Sequence, residues 1–188
     1  IKTVNDVRQI IRAGADKVSI NKNAINNPSL ITDIADVFGS QCVVVSMDCK
    51  LDDDGIYRVY SDSGKFATNL IASKWAKQIE ELGGGEIFLN SIDRDGSKQG
   101  YDNNLIKEIT QAVSIPVIAC GGVGDFSHFS SGITDGGASA VAAGNIFHYI
   151  EHSTIVAKMN LLQSGIDIRM DSEATYEGRQ FDETGRLM

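Results

Sequence analysis

The chain has 188 residues, 42% apolar and 22% charged, with a net charge of −8, values that fit one globular domain with a sizeable core. The negative charge argues against a nucleic-acid or anionic-membrane surface, although a local nest of backbone N–H groups holds phosphate whatever the global charge. No apolar run approaches the ~20 residues that span a bilayer and no signal-peptide pattern opens the chain, so no membrane and a cytoplasmic location are expected.

Thr3 to Ala13 is predicted as a helix. Thr3 and Asp6 form a capping-box pattern, Val4, Val7, Ile10 and Ile11 make the apolar stripe, and Gly14 stops it. Lys17 to Asn21 reads as a short strand ending in a polar residue. A helix then starts at Asn27-Pro28 and runs to Gly39. Cys42 to Met47 is nearly all apolar, as expected of a parallel strand buried on both faces, and it ends in Asp48. Residues 52–65 read as a β-hairpin, from the Asp54-Gly55 turn and the alternation through Ile56 to Tyr60. Asn69 to Leu82 is predicted as a helix closed by three glycines.

Glu86 to Asn90 is the next strand, followed by the polar loop Ser91 to Gly100 and a helix capped by Asp102. Pro116 to Cys120 is a strand that runs into Gly121-Gly122-Val123-Gly124, and Asp125 caps a short helix. Ala138 to Ala143 is the last strand, with Gly144-Asn145 and a helical turn after it, and Ser153 caps a final helix. From residue 170 to 188 the chain is polar and reads as a tail. Nineteen glycines against two prolines suit tight strand–helix turns. Strict strand–helix alternation means a parallel sheet, doubly wound or a barrel.

The chemistry-bearing residues fall at the carboxyl ends of strands: Asn21, Asp48, Asn90 with Ser91, Gly121-Gly122, and Gly144-Asn145. In a barrel that rim is the active site, although turns favour the same residue types. Gly121 to Gly124, leaving a strand and opening a helix, suits a phosphate cradle, and the absence of GxGxxG argues against a dinucleotide. Asp48 is either a structural loop carboxylate or an acid/base group. Asp93 and Asp95 flank Arg94, as a self-satisfied salt network or as part of a substrate clamp. Neither a metal nor another cofactor is expected, there being no CxxC pair to join the three histidines. Cys42, Cys49 and Cys120 lack CxxC spacing and read as reduced thiols.

Together the segments GADKVSIN (14–21), NPSLI (27–31), GSQCVVVSMDCK (39–50), SGK (63–65), GEIFLNSIDRDG (85–96), GYD (100–102), IACGGVG (118–124) and AAGNIFH (142–148) resemble the cyclase subunit of imidazole glycerol phosphate synthase, the HisF family, and its close paralogues. The resemblance runs from Ile1 to about Arg169, taken as residues 1–169 of one domain. It implies a (β/α)8 TIM barrel, incomplete here, with strands 4–8 present and strands 1–3 missing. A stretch without those strands is expected to be inactive alone and to self-associate through open edges. The implied reaction is a lyase step that joins ammonia to a bis-phosphorylated ribotide, giving imidazole glycerol phosphate and aminoimidazole-carboxamide ribotide.

The family's two acid/base aspartates lie on its first and fifth strands, and only the second has a match, Asp48. The resemblance places one substrate phosphate near Asn21 and the other on Asp95, Gly96, Gly122, Gly144 and Asn145, with Asn90 and Ser91 between. The implied partner is a glutaminase subunit at the opposite end, where Asp16, Lys17 and Glu86 match interface and ammonia-gate positions. On the residues alone, those three read equally as strand-start salt bridges. Cys120 stands where histidine-pathway members usually carry Ser, and the SMDCK, NSIDRDG and ACGGVG spellings, the YRVYSDSGK hairpin and the extra residue in AAGNIFH lean toward paralogues that supply ammonia for amidating an N-acetyl sugar in surface-polysaccharide synthesis.

Overall fold

The computed structural model describes residues 1–148, 153–170 and 178. Its elements run α1 (Val4–Arg12), β1 (Val18–Ile20), α2 (Lys22–Asn26), α3 (Ser29–Phe38), β2 (Val43–Leu51), β3 (Tyr57–Ser61), β4 (Phe66–Ile71), α4 (Ala72–Glu81), β5 (Glu86–Ser91), α5 (Asn103–Thr110), β6 (Val117–Cys120), α6 (Ser127–Thr134), β7 (Ala140–Val141) and α7 (Ser153–Gln163). Short 3-10 turns cover Ser40–Cys42 and Asn145–His148.

Five strands are parallel and lie side by side in chain order, β1-β2-β5-β6-β7. The order never reverses, so the sheet is wound in one direction and has no switch point of the doubly wound kind. The capping box of α1 forms as its sequence requires: Asp6 N–H donates to the Thr3 hydroxyl, and the Asp6 carboxylate accepts from the Thr3 N–H.

Several boundaries differ from the sequence reading. β2 continues past Asp48 to Leu51, because its last four residues pair antiparallel with β3. The hairpin is therefore the second half of a three-stranded meander, β2-β3-β4, and β4 takes residues 66–71. Helix α4 consequently starts at Ala72 rather than Asn69. α3 starts at Ser29 with Pro28 in the capping position, and the extra short helix α2 precedes it. The last strand shrinks to Ala140–Val141. Apart from Met170 and Gly178, the polar tail lies outside the described residues.

Alternation along the strands sorts side chains to two faces. One face carries Val43, Val45, Met47, Ile87, Leu89, Val117 and Ala119, all buried against Ile31, Ile34, Trp75, Ile79, Leu105 and Ile109 of the helices. Each of these side chains larger than alanine stabilises the fold by about 2 kcal/mol through removal from water. The other face is only partly covered: Ser46, Phe88 and Ile118 are half-buried, and Ser19 and Ala140 are exposed. β2 is thus buried on both faces only in its first three residues, and Ser46 and Asp48 break the pattern on the second face.

Candidate functional site at the carboxyl ends of the strands

Strand register builds the site. On the half-covered face Ser46, Phe88, Ile118 and Ala140 align in one row across four strands. Two residues further along, toward the carboxyl ends, Asp48, Asn90 and Cys120 form the next row. A pocket of about 230 Å³ opens above these rows. It gathers Asp48, Asn90, Asp95, Gly96, Gly121, Gly122, Gly144 and Asn145, eight of the residues singled out in the sequence.

Asp48 sits where β2 changes neighbours. On one side β1 pairs with residues 43–45 and β3 with residues 48–51. On the other side Asp48 faces Asn90 of β5. The Nδ2 group of Asn21 donates to Asp48 Oδ2 at 2.9 Å, and that of Asn90 to Oδ1 at 3.3 Å. Asn21 reaches across from the end of β1 because it leaves extended geometry there, with φ −125° and ψ −90°.

The glycines after β6 shape the opposite wall. Gly121 and Gly122 have φ of 92° and 105°, a region that side-chain-bearing residues enter at a cost. A Cβ on Gly122 would lie 2.2 Å from the Gly100 carbonyl oxygen, and one on Gly121 2.8 Å from Asn90 Oδ1. Gly100 N–H donates to the Gly122 carbonyl at 2.8 Å, which ties the loop after β5 to the loop after β6. Among the described residues the N–H groups of Gly122 and Val123 donate to no other group. Such free amides at a loop leaving a strand suit an anion. Among the described residues no Lys or Arg side chain lines the pocket, so its donors are backbone amides together with the Asn90 and Asn145 side-chain amides and the Cys120 thiol.

Cys120 completes the row. Burial pushes its thiol above the ordinary range, with Asp95 and Asp48 acting in the same direction, so at neutral pH it is an uncharged S–H. Tyr101 supports the pocket wall from outside through a 2.9 Å hydrogen bond to the Ala142 carbonyl. Further out, Tyr57 of β3 donates to the buried carboxylate of Asp102, which also caps α5 through Leu105 N–H. That contact fixes the inserted meander to the helix layer.

Other singled-out residues lie elsewhere. The side chain of Ser91 is 3% exposed and absent from the pocket, and among the described residues its hydroxyl has no partner. It follows Asn90, so the pleat turns it toward the helices. Asp93 accepts from Leu51 N–H at 2.9 Å and, among the described residues, neither Asp93 nor Asp95 is ion-paired to Arg94, whose Nη1 reaches Gln99. At the opposite end Lys17 and Glu86, at the starts of β1 and β5, form a salt bridge across β2, with Asp16 exposed beside it. Sequence reading missed Phe88 and Ala143 as lining residues. Phe88 was findable, being two residues before Asn90 on the same face.

A singly wound parallel α/β sheet that gathers a carboxylate and a glycine loop at the carboxyl ends of its strands defines the class: a parallel α/β protein with its polar pocket on that rim. Comparison narrows the class. The profile of the family described as "Histidine biosynthesis protein" matches residues 1–153, and the chain belongs to that family. It is 51% identical over 169 residues to an Alkaliphilus metalliredigens protein named imidazole glycerol phosphate synthase subunit HisF, covering 90% of this chain and 67% of the relative. It is also 43% identical over 186 residues to a Vibrio vulnificus protein named for the hisF2 subunit of the same synthase, covering 99% of this chain and 68% of that relative.

Proposed function

We propose that this protein is a cyclase-type lyase subunit of imidazole glycerol phosphate synthase, acting in histidine biosynthesis. The observation that carries the reading is the juxtaposition, in one pocket, of the Asp48 carboxylate with the Gly122 and Val123 amides, which have no partner among the described residues, and with the Gly144-Asn145 turn. A phosphate of the ribotide seats on those amides, with Gly96 leaving room beside it. Asp48 then lies over the reacting centre and moves protons as ammonia adds and the ring closes. The neutral Cys120 thiol adds a weak donor without adding charge.

The parallel strands form part of a (β/α)8 barrel, as its fourth to eighth strands, with the meander inserted after the fifth. Sequential strand order supports this, since a barrel continues in one direction. Among the described residues β1 pairs only with β2 and β7 only with β6, so this stretch by itself self-associates through open edges. A glutaminase subunit supplies ammonia at the end marked by Asp16, Lys17 and Glu86. Among the described residues no helix is long and apolar enough to cross a membrane, and the work is assigned to the cytoplasm.

The test is to give the full-length protein the ribotide and an ammonium salt and to follow imidazole glycerol phosphate. Its formation, lost in Asp48→Asn, is expected. No turnover while inorganic phosphate still binds overturns the cyclase reading. That outcome favours a second reading, prompted by Cys120 in the pocket row: an ammonia-channelling paralogue for amidation of an N-acetyl sugar.

A further inference from the structure

Asn21 and Asn90 invite assignment as substrate contacts, because both stand at strand ends beside the pocket. Their hydrogen bonds indicate a different task. Asn21 follows β1 and Asn90 belongs to β5, so one amide approaches Asp48 from each side. Each donates to a different carboxylate oxygen, at 2.9 and 3.3 Å. Among the described residues neither side chain makes another hydrogen bond.

An ionised carboxylate only accepts, which orients both amides with nitrogen toward Asp48 and oxygen away. The far ends agree with this. Asn90 Oδ1 rests against Gly121, 2.8 Å from where a Cβ would stand, and so exploits the missing side chain. Asn21 Oδ1 is buried without a partner. A buried carbonyl left unpaired is unfavourable, so the orientation of Asn21 is held by its bond to Asp48 alone. Two charge-assisted bonds fix the carboxylate in two directions and leave its remaining lone pairs for the pocket.

We infer that Asn21 and Asn90 are positioning residues whose side-chain amides clamp the Asp48 carboxylate from the ends of β1 and β5, the two parallel strands that flank β2. The inference rests on Asp48 being the proton-transfer group of the proposed reaction. The bond from Asn90, with its carbonyl against Gly121, also ties the carboxylate to the start of the glycine loop.

The test has two readouts. In the full-length protein, Asn90→Asp and Asn21→Asp keep side-chain size and replace an N–H donor with an acceptor. Each is expected to lower kcat for cyclisation with ammonium about tenfold or more, with KM for the ribotide changed by less than about twofold. A KM rise of about tenfold with kcat retained marks a substrate contact and overturns the inference. The second readout needs no turnover. In 15N-labelled protein, Asp48→Asn is expected to move the side-chain amide signals of both Asn21 and Asn90. Inorganic phosphate is expected to shift the backbone amides of Gly122 and Val123 and to leave those two side-chain signals in place. Side-chain signals that ignore Asp48→Asn, or that follow phosphate, overturn the clamp. Backbone amides of Gly122 and Val123 that ignore phosphate overturn the proposed cradle instead, and the Asp48→Asn response still decides the clamp.

Discussion

The two ends of the parallel strands use glycine in opposite ways. At the amino end of β5, Gly83, Gly84 and Gly85 all donate their N–H groups to carbonyls, of Glu80, Ile79 and Val43 respectively. A Cβ on Gly85 would lie 2.1 Å from the Ser40 carbonyl oxygen, so this run closes the α4–β5 turn tightly against the chain before β2. At the carboxyl end of β6, Gly122 is equally crowded, yet among the described residues its N–H and that of Val123 have no partner, and the loop lines a pocket. Crowding around a glycine therefore does not separate packing from binding, whereas the fate of its amide does.

The contrast is broken or sharpened most strongly at Asp48, the carboxylate facing the free amides. Asp48→Asn is expected to cut cyclisation by about 10²- to 10⁴-fold, the usual weight of a general acid/base group, as measured by turnover with ammonium. Retained turnover would place the proton transfer elsewhere. Next comes Gly122→Ala, which meets the Gly100 carbonyl from a φ of 105°. Strain and clash together are expected to cost about 3 kcal/mol in a urea titration, with loss of inorganic phosphate binding.

Tyr57→Phe is a smaller change on the same rim. It takes one donor from the buried Asp102 carboxylate, at an expected cost of about 1–2 kcal/mol. Burial, then the bond to Asp102, holds the Tyr57 phenol above its ordinary value of 10.0. A group whose pKa is raised by folding contributes stability that is complete below the unfolded value and is lost as pH rises past it. The urea midpoint should therefore fall above about pH 10, and fall less steeply in Tyr57→Phe. The remaining slope belongs in part to Tyr101, which burial also pushes up. The smallest effect is expected at the amino end, where Lys17→Ala removes a half-exposed partner from Glu86 and should change stability by less than about 1 kcal/mol. A larger loss there would mean that this pair holds β1 and β5 together across β2.

Local sequence determined much of this protein. Capping by Thr3 and Asp6, glycine stops and alternating apolar runs set the order of strands and helices. They also set which strand ends would be polar, because those signals act within a few residues. Even the pocket's main residues were legible, since a carboxylate or a glycine pair ending an apolar strand has few other places to go. The tertiary structure decided the rest. The meander turned Asn69 to Ile71 into strand because β3 offered hydrogen-bond partners, which local helix preference could not foresee. The pleat sent Ser91 to the helix side while Asn90 stayed with Asp48. Two asparagines 69 residues apart in sequence number came to hold one carboxylate only because β1 and β5 flank β2, and strand adjacency is a property of the folded sheet.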